Sequence, residues 1–306
     1  MKASKRYGRD IGLSARMFLT MLLLAAVYLA FLVVLSRLFA LPLVLVFVGL
    51  FMFAQLYYSD RLVLWSLRAR LVSPEEAPQL HSIVERLCAI ADLPKPRIAI
   101  VPSQVPNALA TGRSKSNAVV AVTQGLLDTL SPDELEAVLG HELTHIKNKD
   151  MLVLTIASFV STIAYFMMHN FFFMGGGGGR RNDSSLVLIF VASLLTWIIS
   201  YALIRTLSRY REYAADRGSA IITGRPRSLI SALYKISGKM ERIPTKDIRE
   251  VEGMNAFFII PAISGRSVLA LFSTHPPTYQ RILLLSQIER EMASAKYTAR
   301  NIYKNI

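Results

Sequence analysis

Residues 131–150, SPDELEAVLGHELTHIKNKD, are the most informative part of the chain. They predict one helix and carry two histidines at a spacing typical of metal ligands. The stretch opens with the capping residue Ser131, followed by Pro132 at the first helical position and Glu134 at the third, which is a start signal for a helix. Apolar residues then recur at helical spacing and give the helix one face to bury: Leu135, Val138, Leu139 and Ile146. We therefore predict a core-packed helix from Pro132 that carries HELTH, residues 141–145.

The HExxH motif places two histidines on one side of this helix. Four residues advance a helix by a little over one turn, so the imidazoles of His141 and His145 project from one face and can bind one zinc ion at about 2.0 to 2.1 Å. Glu142 lies beside them, where a carboxylate can act as general base on a zinc-activated water. The sequence therefore predicts one Zn²⁺ per chain, with Glu142 as the catalytic residue.

A catalytic zinc site needs a third protein ligand and leaves its fourth position to water. The segment SRYREYAAD, residues 208–216, places Glu212 and Asp216 one helical turn apart. We predict that Glu212 is the third ligand. We also predict that Asp216 accepts a hydrogen bond from the second ring nitrogen of His141, which fixes the tautomer of that ring.

A small sheet is predicted ahead of the HExxH helix. RIAIV, residues 97–101, and AVVAVT, residues 118–123, are β-branched runs bounded by proline, asparagine and glycine, which is typical of strands. Before them, SPEE at residues 73–76 repeats the serine, proline and glutamate start signal and predicts a helix from Pro74 to about Ala91. The water-facing part is therefore predicted to consist of a helix, a short sheet and a second helix, in that order.

The composition is too apolar for an ordinary soluble protein. Of the 306 residues, 53% are hydrophobic and only 18% are charged, and the mean hydropathy is +0.39, so part of the chain faces lipid. The net charge of +14 fits either nucleic acid or anionic lipid. Because the basic residues cluster beside apolar runs instead of alternating with aromatic residues, we expect no nucleic-acid partner.

Four uncharged apolar runs are each about long enough to cross a bilayer: residues 17–35, 38–57, 151–174 and 186–204. Only Ser36 and Arg37 separate the first two runs, which predicts a tight helical hairpin. The third run is the weakest candidate, since its polar side chains also fit a re-entrant or bundle-facing helix. Five glycines at residues 175–179 begin a loose polar loop between the third and fourth runs.

Basic residues flank these runs unevenly and predict the topology. Only Arg37, Arg180 and Arg181 lie on one side of the bilayer, while all other flanking basic residues lie on the other. The positive-inside rule then places both termini and residues 59–150 in the cytoplasm. The predicted parts are an N-terminal basic segment with a transmembrane hairpin (1–58), a cytoplasmic region with the HExxH helix (59–150), a second transmembrane hairpin with the glycine-rich loop (151–204), and a C-terminal cytoplasmic part with the third ligand (205–306).

Several residues with reactive side chains read as structural. Cys88 is the only cysteine, so the chain has no internal disulfide, and we expect a buried thiol in a reducing environment. His81 and His169 lack a partner motif and are predicted to pack locally. Asn148 and Asp150, directly after the HExxH helix, either cap its end, which we favour, or support the metal ligands.

Four segments together resemble the HtpX family of membrane zinc endopeptidases, within the peptidase group M48 that includes the CAAX prenyl proteases. They are PNALATG (106–112), HELTH (141–145), SRYREYAAD (208–216) and THPP (274–277) followed by Arg281. The resemblance covers nearly the whole chain, including the order of two spans, HExxH, two spans and the acidic ligand. Leu109 departs from the phenylalanine usual in the family, and the first hairpin turn is unusually short.

The resemblance implies an α+β, predominantly helical, multi-pass membrane protein with a gluzincin-type zinc protease domain. It also implies a quality-control enzyme of the cell membrane, with a cytoplasmic active site and with misfolded or damaged membrane and cytoplasmic proteins as substrates. The lipid bilayer is then a partner, and no oligomeric state is indicated.

Substrate contacts are predicted at two places. An extended peptide can add to an exposed sheet edge, either near Asn107, Ala108 and Gly112 or along residues 118–123. His275 precedes a helix predicted from Pro277 to about Met292, where it either contacts the substrate or transition state or packs locally.

Two alternatives to a quality-control protease stay open. One is a processing enzyme for lipidated C-termini. Such enzymes have more membrane spans, which enclose a large chamber, and four spans leave little material to build one. The other is an inactive membrane scaffold with a structural zinc ion, against which the intact general base Glu142 argues.

Overall fold

The computed structural model describes residues 10–38, 40–169, 183–240 and 276–304. His275, the glycines at residues 175–179 and the basic residues before position 10 lie outside the described residues. The described chain divides into two compact units. The membrane unit comprises residues between 10 and 59 and between 152 and 210, and the sheet unit comprises residues 60–151, 211–240 and 276–304.

Long apolar helices build the membrane unit: α1 (Ile11–Leu38), the first part of α2 (Leu41–Ser66), α6 (Asp150–His169) and the first part of α7 (Asp183–Thr223). Within the described residues, three helical segments are long and apolar enough to cross a membrane: Ile11–Ser36, Asp150–His169 and Val187–Thr223. The chain is thus a membrane protein. Most of the second predicted run lies in α2, which is not among these three segments.

The membrane unit is held together by buried apolar contacts between its helices. Phe31 and Leu35 of α1 pack with Phe159 and Ile163 of α6, and Leu207 of α7 completes a second cluster. Large apolar side chains cover the outside of the same helices, as expected for surfaces that face lipid: Phe18, Leu22, Leu29, Phe166, Val191 and Leu195.

The first helical break differs from the prediction. The sequence placed the turn at Ser36 and Arg37, but α1 continues through both residues to Leu38, and α2 begins at Leu41. Pro42 explains the position, since proline lacks a backbone N–H and is tolerated only in the first turn of a helix.

Among the described residues, the sheet unit has four strands in the order β1 (Arg70–Leu71), β2 (Arg97–Val101), β4 (Val119–Thr123) and β3 (Ala108–Thr111), and the one-turn helix α4 (Gln124–Leu127) follows β4. β2 and β4 are parallel, and the two outer pairs are antiparallel. The two predicted strands are therefore confirmed. The suggestion that residues 118–123 form an exposed edge is wrong, because β4 lies between β2 and β3. The edge nearest the predicted substrate segment is β3.

Helices cover both faces of this sheet. On one face, Ile98, Val120 and Val122 share the main core with α3 (Pro78–Ala91), α5 (Pro132–Asn148), α8 (Pro226–Met240) and α9 (Thr278–Lys304). On the other face, Val63, Leu64 and Leu67 at the end of α2 pack on Ala99, Val101 and Ala121. β4 is buried on both faces, which explains its continuous apolar sequence.

Helix α3 starts later than predicted. Residues 73–77 form a turn instead, in which the Glu76 carboxylate accepts a hydrogen bond from the Ser73 backbone N–H at 2.8 Å. The helix begins at Pro78, because the residue before a proline is pushed out of helical geometry, and Ala77 has φ −139° and ψ 61°. Helix α5 begins at Pro132 as predicted, with a capping box between Ser131 and Glu134. Helix α9 also extends past the predicted Met292 to Lys304.

Helix α7 is continuous from Asp183 to Thr223. It therefore runs without a break through residues 204 and 205, where the sequence suggested a division between parts. Its last turns, from Arg211, belong to the sheet unit and carry Glu212 and Asp216.

Candidate metal centre

Helix α5 presents the two HExxH histidines side by side in the interior of the sheet unit. Their rings are perpendicular, with centroids 4.7 Å apart, and His141 Nε2 lies 3.1 Å from His145 Nε2. The His141 side chain is 2% exposed and that of His145 is 14% exposed. Glu142 is buried on the same helix.

Glu212 on α7 meets both imidazoles. Its Oε2 lies 3.4 Å from His141 Nε2 and its Oε1 lies 3.5 Å from His145 Nε2. One ligand atom from each of the three residues lies within 4.8 Å of the others. The structure thus brings His141, His145 and Glu212 together as a cluster that could hold a metal ion.

Small residues allow α7 to approach α5 closely enough for this contact. A Cβ added at Gly218 would lie 2.3 Å from Thr144 Cγ2, and one at Gly140 would lie 3.2 Å from Ser219 Oγ. At the same crossing, the Ser219 hydroxyl donates a hydrogen bond to the Ala137 carbonyl at 2.6 Å. The crossing therefore fixes how deeply Glu212 reaches toward the histidines.

Each imidazole also contacts an aspartate through its second ring nitrogen. His141 Nδ1 lies 3.0 Å from Asp216 Oδ1, and His145 Nδ1 lies 2.7 Å from Asp150 Oδ2. Since a carboxylate accepts hydrogen bonds, each Nδ1 donates to its aspartate, and each Nε2 faces the cluster. Asp216 lies where the sequence placed it. Of the two roles left open for Asp150, the structure supports the second rather than the favoured helix cap, because its carboxylate contacts the ring of His145.

Two buried arginines donate hydrogen bonds to the two aspartates that contact the imidazoles. No role at the site was predicted for either arginine from the sequence. Arg281 on α9 donates to Asp216, and its Nη1 lies 3.5 Å from Glu212 Oε2. Arg211 on α7 donates to Asp150. The available signal was weak: Arg281 followed the THPP motif, and Arg211 read as one more basic residue flanking an apolar run.

The donor set fits a catalytic zinc site. Burial lowers the pKa of His141, but its hydrogen bonds to Asp216 and Glu212 outweigh burial and raise that pKa to about 10. The cluster therefore attracts positive charge strongly. Two imidazole nitrogens and one carboxylate are a ligand combination of catalytic zinc, with one position left for water.

The candidate substrate edge lies on β3, in the same unit. Asn107 is buried, and its backbone N–H donates to Thr123 Oγ1 at 2.8 Å. Ala108 opens β3 and pairs with Val122 of β4. Gly112 ends the strand with φ +137°, and an added Cβ would lie 2.5 Å from the Asn117 carbonyl oxygen, so the turn requires glycine.

Two further histidines among the described residues, and the cysteine, pack as structural residues. His81 is buried, and its Nε2 lies 3.1 Å from the Val72 carbonyl oxygen. His169 contacts the ring of Tyr165. Cys88 is buried, and burial raises the pKa of its thiol to about 11, which argues against a nucleophile.

The fold and the His-His-Glu cluster define the class of metalloproteases built on an HExxH helix. Comparison with known families agrees, since the model of peptidase family M48 matches residues 74–289. A protease HtpX homolog from Moorella thermoacetica is 60% identical, over 94% of this chain and 98% of its own. Protease HtpX homolog 2 of Methanosarcina mazei is 57% identical, over 94% of this chain and 99% of its own. The chain therefore belongs to peptidase family M48 and is a membrane metalloprotease.

A solved structure shares the fold. The crystal structure of S. mikatae Ste24p matches with a TM-score of 0.56 and 18% sequence identity, over 90% of this chain and 67% of that protein. At this identity the likeness concerns the fold alone.

Proposed function

We propose that the protein is a zinc endopeptidase that hydrolyses peptide bonds of misfolded or damaged membrane and cytoplasmic proteins. In this proposal His141, His145 and Glu212 hold one Zn²⁺, and Glu142 is the general base. The observation that carries the proposal is the meeting of two imidazole Nε2 atoms and a carboxylate within 4.8 Å of one another, in a buried setting.

When bound, zinc would activate a water molecule and polarise the peptide carbonyl. The protein's own groups manage the proton. Glu142 takes it from the attacking water and passes it to the leaving amine. Asp216 and Asp150 orient the two imidazoles through their Nδ1 atoms, so that both Nε2 lone pairs stay aimed at the metal position.

Substrate binding is proposed at the outer edge of β3. One side of this strand pairs with β4, and the strand order places β3 at the end of the described sheet, although the edge is not exposed as predicted, since all four residues of β3 are buried. An extended peptide that pairs with this edge is recognised mainly through its backbone. Tolerance of many sequences would follow, which suits an enzyme that acts on unfolded chains.

The proposed topology places the active site and both termini in the cytoplasm, in a cell membrane crossed more than once. The support is the distribution of basic residues around the apolar runs. Unfolded cytoplasmic chains and the cytoplasmic ends of membrane proteins would then reach the site.

The test compares the detergent-purified protein with Glu142→Gln, which keeps all proposed ligands but removes the base. We expect both to bind about one zinc ion and only the wild type to cleave casein. Glu85→Gln is the matched control, since Glu85 is an exposed glutamate paired with Lys95, and it should cleave normally. Cleavage of a prenylated peptide but not of casein would favour C-terminal processing. Zinc binding without any cleavage by the wild type would favour the scaffold.

A further inference from the structure

The connection between α5 and α6 turns an acidic side chain back toward the proposed metal site. α5 ends at Asn148, Lys149 adopts a left-handed conformation with φ +57°, and α6 begins at Asp150. A single residue thus separates the two helices. As a result, the buried carboxylate of Asp150 lies 2.7 Å from His145 Nδ1, although α5 itself has ended.

Arg211 on α7 holds this connection with two hydrogen bonds. Its Nη2 donates to the Asn148 carbonyl oxygen at 2.9 Å and also to Asp150 Oδ1. The first bond caps the end of α5, and the second occupies the Asp150 oxygen that does not face His145. Arg211 directly precedes Glu212, so one turn of α7 supplies both a proposed metal ligand and the arginine that binds Asp150.

We propose that Asp150 and Arg211 are positioning residues for His145, and that together they set the affinity of the site for its metal. This inference rests on the proposed function, since it assumes that His145 is a ligand. Asp150 fixes which ring nitrogen carries the hydrogen and therefore keeps Nε2 available to the metal. Arg211 fixes the rotamer of Asp150 and balances its charge.

Burial makes a purely stabilising role a poor explanation of the pair. Removing two charges from water is costly, and a buried ion pair often stabilises a fold no better than apolar residues of the same volume. The same arrangement recurs at the other proposed ligand histidine, since His141 Nδ1 contacts Asp216, which Arg281 holds.

The test measures zinc affinity by competition with a chromophoric chelator, on full-length protein in detergent. Asp150→Asn preserves the shape of the side chain but weakens the hydrogen bond to His145. We expect it to bind zinc about 10- to 100-fold more weakly than the wild type, which is the usual effect of losing such a partner. Arg211→Met should show a similar loss, and Arg211→Lys, which keeps the charge, should recover part of it.

The matched control is the exposed pair of Asp133 and Arg225 in the same unit. Asp133→Asn and Arg225→Met remove the same charges and should leave zinc affinity within twofold of the wild type. Thermal unfolding of the zinc-free proteins identifies the folded variants. If Asp150→Asn does not fold, Arg211→Lys and Asp150→Glu provide the same comparison.

Two results overturn the proposal in different ways. If the wild type binds zinc and the folded Asp150 and Arg211 variants bind it within twofold as tightly, the positioning role is wrong and the proposed function stands. If the wild type binds no zinc, the proposed function fails together with the positioning role.

Discussion

Arg281 holds Asp216 with two hydrogen bonds, from Nε to Oδ2 at 2.9 Å and from Nη2 to Oδ1 at 2.6 Å. Both side chains are almost completely buried, at 1% and 0% exposure. Since Asp216 also contacts His141, the C-terminal helix α9 is connected to the proposed metal site through this pair. The site therefore depends on a residue 140 positions away from its first histidine.

Arg281→Met should destabilise the protein strongly. It leaves the carboxylate of Asp216 buried without its cation, and breaking a buried pair in this way costs about 3–5 kcal/mol. Thermal unfolding in detergent measures the loss. Arg227→Met is the control, because Arg227 forms an exposed pair with Glu289. Equal melting temperatures for the two variants would contradict the account.

Gly218→Ala should disturb the crossing of α5 and α7. The new Cβ would lie within 2.9 Å of three side-chain atoms of Thr144, and such overpacking costs about 1–3 kcal/mol. Zinc affinity should fall as well, because Glu212 lies on the displaced helix.

Gly238→Ala on α8 is the matched control for this substitution, since nothing lies within 4 Å of its added Cβ. It should stabilise the protein by about 0.5–1 kcal/mol, because alanine loses less backbone entropy than glycine in a helix. The double variant Gly218→Ala and Thr144→Ala should recover part of the stability. Loss of the same size for both single glycine variants would show that the close approach is unimportant.

Glu134 should make stability depend on acid pH. Burial raises the pKa of Glu134, but hydrogen bonds from Lys235, Ser231 and Ser131 outweigh it and lower that pKa to about 2. A carboxylate with a lowered pKa in the folded state stabilises the fold above its unfolded pKa, near 4.5. The stabilisation is therefore present at neutral pH and is lost as the pH falls from about 4.5 to about 2.

Glu134→Gln tests this dependence. The variant should be less stable at pH 7, and its deficit should shrink as the pH falls through that window, measured by thermal unfolding at each pH. Glu76→Gln is a suitable comparison, because the Glu76 carboxylate also accepts a hydrogen bond from a serine backbone N–H, that of Ser73, but it lies in an exposed turn. A deficit for Glu134→Gln that is constant from pH 7 to pH 2 would refute the assignment.

Cys88 should resist alkylation in the folded protein. It is buried on α3, and burial raises the pKa of its thiol to about 11, so little thiolate exists at pH 7.5. Labelling with iodoacetamide, followed by intact mass, should show no adduct under native conditions and one adduct in denaturant. Rapid native labelling would show that the α3 packing opens readily.

The sequence predicted those helices and strands whose signals lie within a few neighbouring residues. α5 starts at Pro132 because Ser131 and Glu134 form a capping box, and both features are visible in the sequence. β2 and β4 follow from their β-branched runs. β3 was not assigned as a strand, because four residues containing two alanines give no strand pattern, and its pairing with β4 is a tertiary property.

The candidate site divides in the same way. The spacing of His141 and His145 and the pair Glu212 and Asp216 were visible as motifs, and the structure brings these residues together. Support of the metal ligands was one of the two roles open to Asp150, whereas the roles of Arg211 and Arg281 depend on contacts between residues 61 to 65 positions apart. No single sequence pattern carries that information, so a flanking arginine could not be distinguished from a buried one.

The proposed function requires that His141, His145 and Glu212 hold a catalytic zinc ion. Zinc K-edge X-ray absorption of the purified protein identifies the ligand atoms, with Glu212→Ala measured alongside. We expect two imidazole nitrogens and oxygen ligands at about 2.0–2.2 Å in the wild type, and an altered, weakly held zinc in the variant. An unchanged spectrum and stoichiometry in Glu212→Ala, or a wild-type zinc without histidine ligands, would contradict it.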